Sequence, residues 1–502
     1  MSAQTEATMK VPGIRPAWRR PALSWPLIVV VIAFVRPLRD GLAVLNDPDT
    51  YLHIAAGQWM IAHRALPLHD PFSHSMPGAT WVPHEWLAEI VLARIYDGFG
   101  WPGLILLTTI CFAITLALLT RKLLDHFEPL STLVLVALST VLILPHLLAR
   151  PHVLAFPLVV TWSAALISAR DSGRAPPLWI LPVMTLWANL HGGFMFGLAL
   201  AVFLGAEAVL AAVSMDQRLI ALRQWGGFVA LAGVAALLTP NGLDGLLLPF
   251  RVNAMPILQR SFGEWMSPNF QQFDALEIWI LGIMFVGFAL GLKLSAGRVL
   301  LLLALFHMAL QHTRHADLVA LVAPLAVAAS LGPLVATRVN ASPPSALRRG
   351  VAALANAAGS LGVAVAVAII LAAGGIVLLR PIERPDGPET PKTALATAMR
   401  MGLSGPVFNS ETFGGYLIFN GVPTFIDGRI EMYGDAFLGR YLDAEEGKET
   451  ALTGVLDQYG ITWTLLMPQN HIIEVLDHLP GWQRVYADRY AVIHVRQAAP
   501  PR

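Results

Sequence analysis

The chain has 502 residues, of which 55% are hydrophobic and 13% charged, and its mean hydropathy is +0.60. An ordinary soluble domain carries roughly 25% charged residues, and no soluble globule has interior enough for this much apolar surface, so a soluble enzyme, a disordered chain and a fibrous protein are excluded. The formal charge, 34 Lys and Arg against 33 Asp and Glu, is +1 and points to no nucleic-acid partner. The single cysteine, Cys111, leaves no intramolecular disulfide. What remains is a polytopic α-helical membrane protein.

Residues 1–21 form a basic cytoplasmic segment with Lys10, Arg15, Arg19 and Arg20. At about 20 apolar residues per crossing, eleven spans follow, near 22–42, 101–120, 130–148, 152–169, 177–190, 193–213, 226–240, 275–293, 298–312, 316–337 and 351–379. The stretch 177–213 reads either as two spans or as one long broken helix, and 298–312 is short. Arg36, Arg39 and Asp40 follow the first span with no small-residue cleavage pattern, so it reads as a retained signal anchor. With the N-terminus inside, fifteen Lys and Arg fall in cytoplasmic segments and eight on the other face up to residue 379. That predicts a multi-pass protein of a bacterial inner membrane, its C-terminal segment outside.

Residues 22–380 are thus a transmembrane domain with a large first outer loop, 43–100, and 381–502 an extracytoplasmic α/β domain of about 120 residues, enough for its own core. The segment Arg384–Pro391 opens the tail as a linker. Helical patterns cover 392–401, 411–419 and 449–459. Strand patterns cover 406–409, 424–427 and 461–467, and 482–486 with 490–495 forms a closing hairpin.

Polar residues near a bilayer carry the functional information in such a chain, and here they gather at the outer side. The first loop begins Asn46-Asp47-Pro48-Asp49-Thr50-Tyr51-Leu52-His53, continues through a helical stretch over 50–63 to His69-Asp70-Pro71-Phe72, and then reads Trp81-Val82-Pro83-His84-Glu85-Trp86. Asp49 alone reads as the N-terminal cap of the helix. Asp47, Asp49 and His53 together read as a holder for a hard divalent cation, Mg or Mn, facing a phosphate, or as a source of a general base. His74 and His84 read as loop residues, and Glu85 as functional or interfacial with equal weight. Arg150 with His152, and Arg314 with His315, sit at outer helix junctions, where arginine is either a snorkelling anchor or a phosphate ligand. Asn189 and His191 precede the helix-breaking pair Gly192-Gly193, and Glu264 lies in the loop 243–274. In the tail, Glu411 is a first-turn acid or a site residue. Asp427 is either a strand-end ligand for substrate or the partner of Arg429 in a turn.

The run Asp47-Pro48-Asp49-Thr50-Tyr51-Leu52-His53, with Gly57 and His69-Asp70-Pro71-Phe72, resembles the first outer loop of GT-C glycosyltransferases, above all oligosaccharyltransferase catalytic subunits. In the tail, Phe413–Asn420 followed by Thr424–Arg429 is similar to their Trp-Trp-Asp-Tyr-Gly region, although Glu411-Thr412-Phe413-Gly414-Gly415 stands where Trp-Trp-Asp would. The second acidic motif of such enzymes is absent from the loop between spans three and four, where Arg150-Pro151-His152 lies. The resemblance implies a GT-C-like fold and transfer of a sugar from a polyprenyl-phosphate or diphosphate donor to an unknown acceptor at the outer face. It makes Asp47 or Asp49 the catalytic or metal-binding carboxylate. Donor and membrane lipid are the expected partners, and no nucleic acid. A non-catalytic assembly scaffold and a lipid-linked glycan transporter stay open beside it.

Overall fold

The computed structural model describes residues 24–341, 343–354 and 359–497. Lys10, Arg15, Arg19 and Arg20 lie outside them, as do residues 22–23 and 355–358 of two expected spans. Among the described residues an apolar helix occupies each of the eleven expected stretches. Seven are at least 18 residues long, three are shorter, at Leu178–Leu190, Ala275–Leu290 and Ala296–Gln311, and the first, Ser24–Arg39, carries Arg36 and Arg39 in its last turn. The chain is a polytopic membrane protein. The 177–213 region is two helices joined by a turn at His191–Gly193, not one broken helix; the Gly193 N–H donates to His191 Nδ1 at 3.0 Å and closes the turn.

Apolar faces gain little from meeting one another in lipid, so these helices associate through close packing and small residues. A Cβ added at Gly197 would stand 2.6 Å from the Trp187 ring, and one at Gly332 would stand 2.5 Å from the His126 carbonyl oxygen. Trp162, Trp187, Phe112 and Phe228 are fully buried in the resulting core. At the opposite end of the bundle from Arg150, Arg298 pairs with Asp171 and Glu207, and Arg170 pairs with Glu207.

The first loop is one continuous folded unit. It holds the helix Asp49–His63, an irregular stretch through His69–Pro83, and a helix that runs from Trp86 along the end of the bundle. Gly100 breaks that last helix with φ 61° and ψ −155°, and the span proper resumes at Trp101. Glycine permits this conformation at little steric cost. Gly57 brings the first of these helices against the last, since a Cβ there would stand 2.1 Å from the Glu89 carbonyl oxygen.

The tail carries a four-stranded sheet of order β1-β2-β4-β3. Its strands are β1 Val407–Asn409, β2 Trp463–Leu465, β3 Trp482–Ala487 and β4 Val492–Arg496. β1 and β2 are parallel, and the β3–β4 hairpin is antiparallel. Residues 424–427 are not a strand, contrary to the sequence reading. The Asn409 side chain takes up their backbone instead, accepting from the Phe425 N–H at 2.8 Å and donating to the Ile426 carbonyl at 2.9 Å. Thr424 makes a lone parallel bridge to Ser73 of the first loop. Two helices, Ile430–Glu445 and Ile472–His478, are not among the expected elements, although Ile430, Tyr433, Phe437, Tyr441 and Ala444 bury one face of the first at helical spacing; that helix is kinked at Gly434, φ 75°. The segment Arg384–Pro391 is a packed turn, closed by mutual backbone hydrogen bonds of Gly387 and Thr390, and Arg384 is buried within it.

Candidate functional site

The site grows from the short segment that joins the first span to the helix Asp49–His63. A helix start leaves backbone N–H groups without intrahelical partners. Asp47 fills one of these vacancies, its Oδ1 accepting from the Asp49 N–H at 2.8 Å. The cap position itself is Pro48, and the capping acceptor is Asp47 just before it, not Asp49. Asp49 occupies the first helical position and its carboxylate is free to point elsewhere.

It points at Arg150. The guanidinium reaches across from the start of the helix Pro151–Asp171, giving Nη2 to Asp49 Oδ2 at 2.8 Å and Nη1 to Asp47 Oδ2 at 3.2 Å. Its Nη1 also donates to Glu264 Oε1, from the loop between two later spans. Glu264 lies 3.9 Å from Arg314, and Arg314 stacks 4.5 Å from the centroid of Trp265. Asp47, Asp49, Arg150, Glu264 and Arg314, distant in sequence, form one chain of alternating charge. Five charges at 6–45% side-chain exposure need such pairing.

Burial raises Asp49 to about 6, because desolvation outweighs the attraction of Arg150. Burial also raises Glu411, reinforced by the charge of Asp49. Both shifts run upward, so burial disfavours the charged form of each carboxyl. Glu264 moves the other way; Arg150 and Arg314 overcome its burial and hold it near 2.

A second cluster surrounds Glu85. His53 Nε2, His84 Nε2 and His191 Nε2 stand 3.9, 3.8 and 3.6 Å from its carboxylate, and His53 Nδ1 is 3.3 Å from Glu89. Burial drives His191 down to about 3. It also opposes charge on His53, but there Glu89 and Glu85 prevail and raise the value. The three histidines and Arg150 in turn outweigh the burial of Glu85 and hold it at about 2. His53 is thus engaged by Glu85 and Glu89, beside the Asp47–Asp49 pair and not part of it. His152 Nε2 meets the His146 carbonyl oxygen at 2.8 Å, and its ring lies 6.2 Å from that of His191; His315 Nδ1 meets the Met308 carbonyl oxygen at 3.2 Å.

Asp427 and Arg429 are brought together, but as a core pair. Arg429 gives Nε and Nη2 to Asp427 at 2.7 Å each and Nη1 to Asp70 of the first loop at 2.7 Å, all in full burial. The Tyr433 hydroxyl adds a further bond to Asp427 at 2.7 Å. The residue between them, Gly428, had gone unread in the sequence. A Cβ there would stand 2.1 Å from Asp49 Oδ1, so the tail backbone forms one wall of the carboxylate's pocket. Glu89 and Arg384 also escaped notice. A Glu one turn after Glu85 on the same helix was the available signal for the first; for the second there was none.

For a divalent cation the fit is poor as the residues stand. Arg150 lies between the Asp47 and Asp49 carboxylates, where a cation would sit, and Asp47 Oδ1 is spent on the cap. Among the described residues no three His, Cys, Asp or Glu side chains converge as metal ligands.

No family model matches the chain, and no curated protein matches it. Solved structures do. The archaeal oligosaccharyltransferase AglB from Archaeoglobus fulgidus, in complex with an inhibitory peptide and a dolichol-phosphate, superimposes with a TM-score of 0.52 at 12% identity, over 88% of this chain and 69% of that one. The apo form of the Archaeoglobus fulgidus oligosaccharyltransferase gives 0.51 at 12% identity, over the same 88% and 69%. ArnT from Cupriavidus metallidurans bound to undecaprenyl phosphate aligns over 96% of this chain and 99% of its own, at 14% identity and a TM-score of 0.48. At such identities the likeness is one of fold, shared with the two oligosaccharyltransferase structures, as the first loop led one to expect.

Proposed function

We propose that the chain is a GT-C-type glycosyltransferase that moves a sugar from a polyprenyl-phosphate-linked donor to an acceptor on the side of the membrane where the first loop and the tail meet. Positive-inside counting makes that side the outer face of a bacterial inner membrane. No nucleotide sugar is found there, so a lipid-borne donor fits the location. The observation that carries the reading is the contact of Asp49 with Arg150 in a cluster that extends to Arg314. The dolichol-phosphate in the AglB structure supports the choice of donor class.

In this reading the acceptor nucleophile attacks the anomeric carbon, the bond from that carbon to the phosphate oxygen breaks, and the nucleophile's proton passes to Asp49. A carboxylate with a value of about 6 suits a base working near neutral pH. Arg150, bound to three carboxylates, orients Asp49. Arg314, with only a long contact to Glu264 and its stack on Trp265, is the cation available to the departing phosphate. Arg150 supplies between Asp47 and Asp49 the charge that Mg or Mn would otherwise supply.

The test is transfer from a polyprenyl-phosphate sugar by purified protein, compared with Asp49→Asn. Loss of about 10²–10⁴ in rate with unchanged thermal unfolding is expected. An active Asp49→Asn protein would return the chain to the scaffold reading.

A further inference from the structure

On the other side of the Asp47 backbone lies a cavity of about 490 Å³ that the proposed chemistry does not use. Its walls are the aromatic rings of Tyr51, Tyr96, Trp101 and Tyr416, with Arg384 and Lys392 at its charged end. The rings brace one another: Tyr51 lies 5.2 Å from Trp101 and 5.1 Å from Tyr416, and Tyr96 lies 4.9 Å from Trp101, centroid to centroid, all near edge-on.

Arg384 is the unusual member. It is only 6% exposed, yet among the described residues no carboxylate lies within ion-pair distance of it. Its guanidinium sits 4.3 Å from the Tyr51 centroid and 5.6 Å from that of Trp101, and Nη1 donates to the Asp47 carbonyl at 3.0 Å. Buried cations are ordinarily paired with an anion. Lys392, its neighbour in the cavity wall, pairs at 2.9 Å with Glu383, an exposed carboxylate of the same wall, and so leaves Arg384 without that partner. The guanidinium therefore lines the cavity with no ion-pair partner among the described residues.

The depth of the cavity is fixed by its wall. Trp101 starts one apolar span and Leu378 ends another, so the mouth lies at the level where apolar helices give way to polar chain. Exposed Arg380 stands at the same level. Aromatic rings and basic side chains at this depth are the surroundings of a lipid headgroup.

We propose that this cavity is a second anion site, which takes a phosphate-bearing headgroup of a membrane lipid, with the phosphate on Arg384 and the headgroup body against Tyr51, Trp101 and Tyr416. It is separate from the donor site proposed above. Arg384 meets the carbonyl of Asp47 and Arg150 meets its carboxylate, so the two sites lie on opposite sides of one residue. The inference stands or falls independently of the transferase reading, because its test measures binding alone.

That test uses the full chain in detergent and follows quenching of tryptophan fluorescence by phosphatidylglycerol with brominated chains. Short-chain phosphatidic acid, inorganic phosphate and neutral diacylglycerol serve as competitors. Phosphatidic acid is expected to compete at least tenfold better than diacylglycerol and than inorganic phosphate. Arg384→Gln is expected to weaken phosphatidylglycerol at least tenfold, and Arg384→Lys, which keeps the charge and loses the planar stack, to weaken it less. Equal competition by diacylglycerol would overturn the anion site. Inorganic phosphate competing as well as phosphatidic acid would overturn the lipid and leave a soluble phosphate. Should Arg384→Gln fail to fold, the competition series on the unaltered protein decides alone.

Discussion

Arg150 and Glu264 act on Asp49 with opposite sign, and two single substitutions separate them. Burial brings Asp49 from an ordinary 3.8 to about 6, a net penalty of about 3 kcal/mol on its charged form. Arg150 works against that penalty from 2.8 Å. A unit-charge pair about 4 Å apart at an effective dielectric of 20 is worth ~4 kcal/mol. The two side chains are 18% and 19% exposed, and halving the figure for solvent leaves about 2 kcal/mol. Arg150→Gln should therefore carry Asp49 upward by about 1.5 pH units, since each unit is 1.36 kcal/mol. Glu264→Gln removes a carboxylate that raises Asp49, and frees Arg150 from a competitor. Asp49 should then fall, by less than a pH unit because Glu264 is 45% exposed. The assay is the pH dependence of sugar transfer at low donor concentration. Activity of the unaltered protein should rise with pH through a midpoint near 6, with Arg150→Gln shifted up and Glu264→Gln shifted down. Shifts in the same direction, or an unaltered midpoint near 4, would refute the account of how the cluster sets its base.

Stability should depend on pH through the same group. The folded value of Asp49 exceeds the unfolded one, so its contribution to stability is full below about pH 4 and lost as pH rises through 6; Asp49→Asn should flatten that part of the unfolding profile. Gly428→Ala puts a methyl group where Asp49 Oδ1 lies, and should cut transfer at least tenfold while costing about 1–3 kcal/mol in thermal unfolding. Arg429→Met strands Asp427 and Asp70 in full burial and should cost about 3–5 kcal/mol, seen as loss of the folded fraction in detergent chromatography. Transfer should continue in excess chelator and gain nothing from added Mg or Mn; activity lost to chelator and restored by Mg would show that Arg150 yields its place to a metal.

The membrane part was legible because its signal is long and cooperative. Twenty apolar residues declare a span whatever surrounds them, and each of the eleven expected stretches holds a helix. The acidic start of the first loop was legible for a related reason, since two carboxylates beside a span are costly without a purpose. Which residues meet was legible in part. Arg150 stood out as a cation at a helix junction, but its bridge to Glu264 depends on how later helices pack. Segment 424–427 was misread because a side-chain amide, Asn409, does the work of a neighbouring strand, and sequence alternation does not register that. Arg384 was passed over as linker because prolines and a glycine follow it. Its burial depends on an aromatic wall built from three remote segments.

The bond between Asp70 and Arg429 spans 359 residues of chain. A ribosome releases the first loop long before Arg429 exists, and ten further crossings must be threaded in the interval. Until then Asp70 keeps only local company, from the Ser73 hydroxyl and the nearby backbone N–H groups. Completion of the first loop is thus delayed until Arg429 has been made, and a chain cut short before that residue emerges with its first loop unfinished. Quality-control proteases would meet such products as unfolded loops on an otherwise inserted bundle, so nonsense alleles that stop the chain just before residue 429 should behave as complete losses.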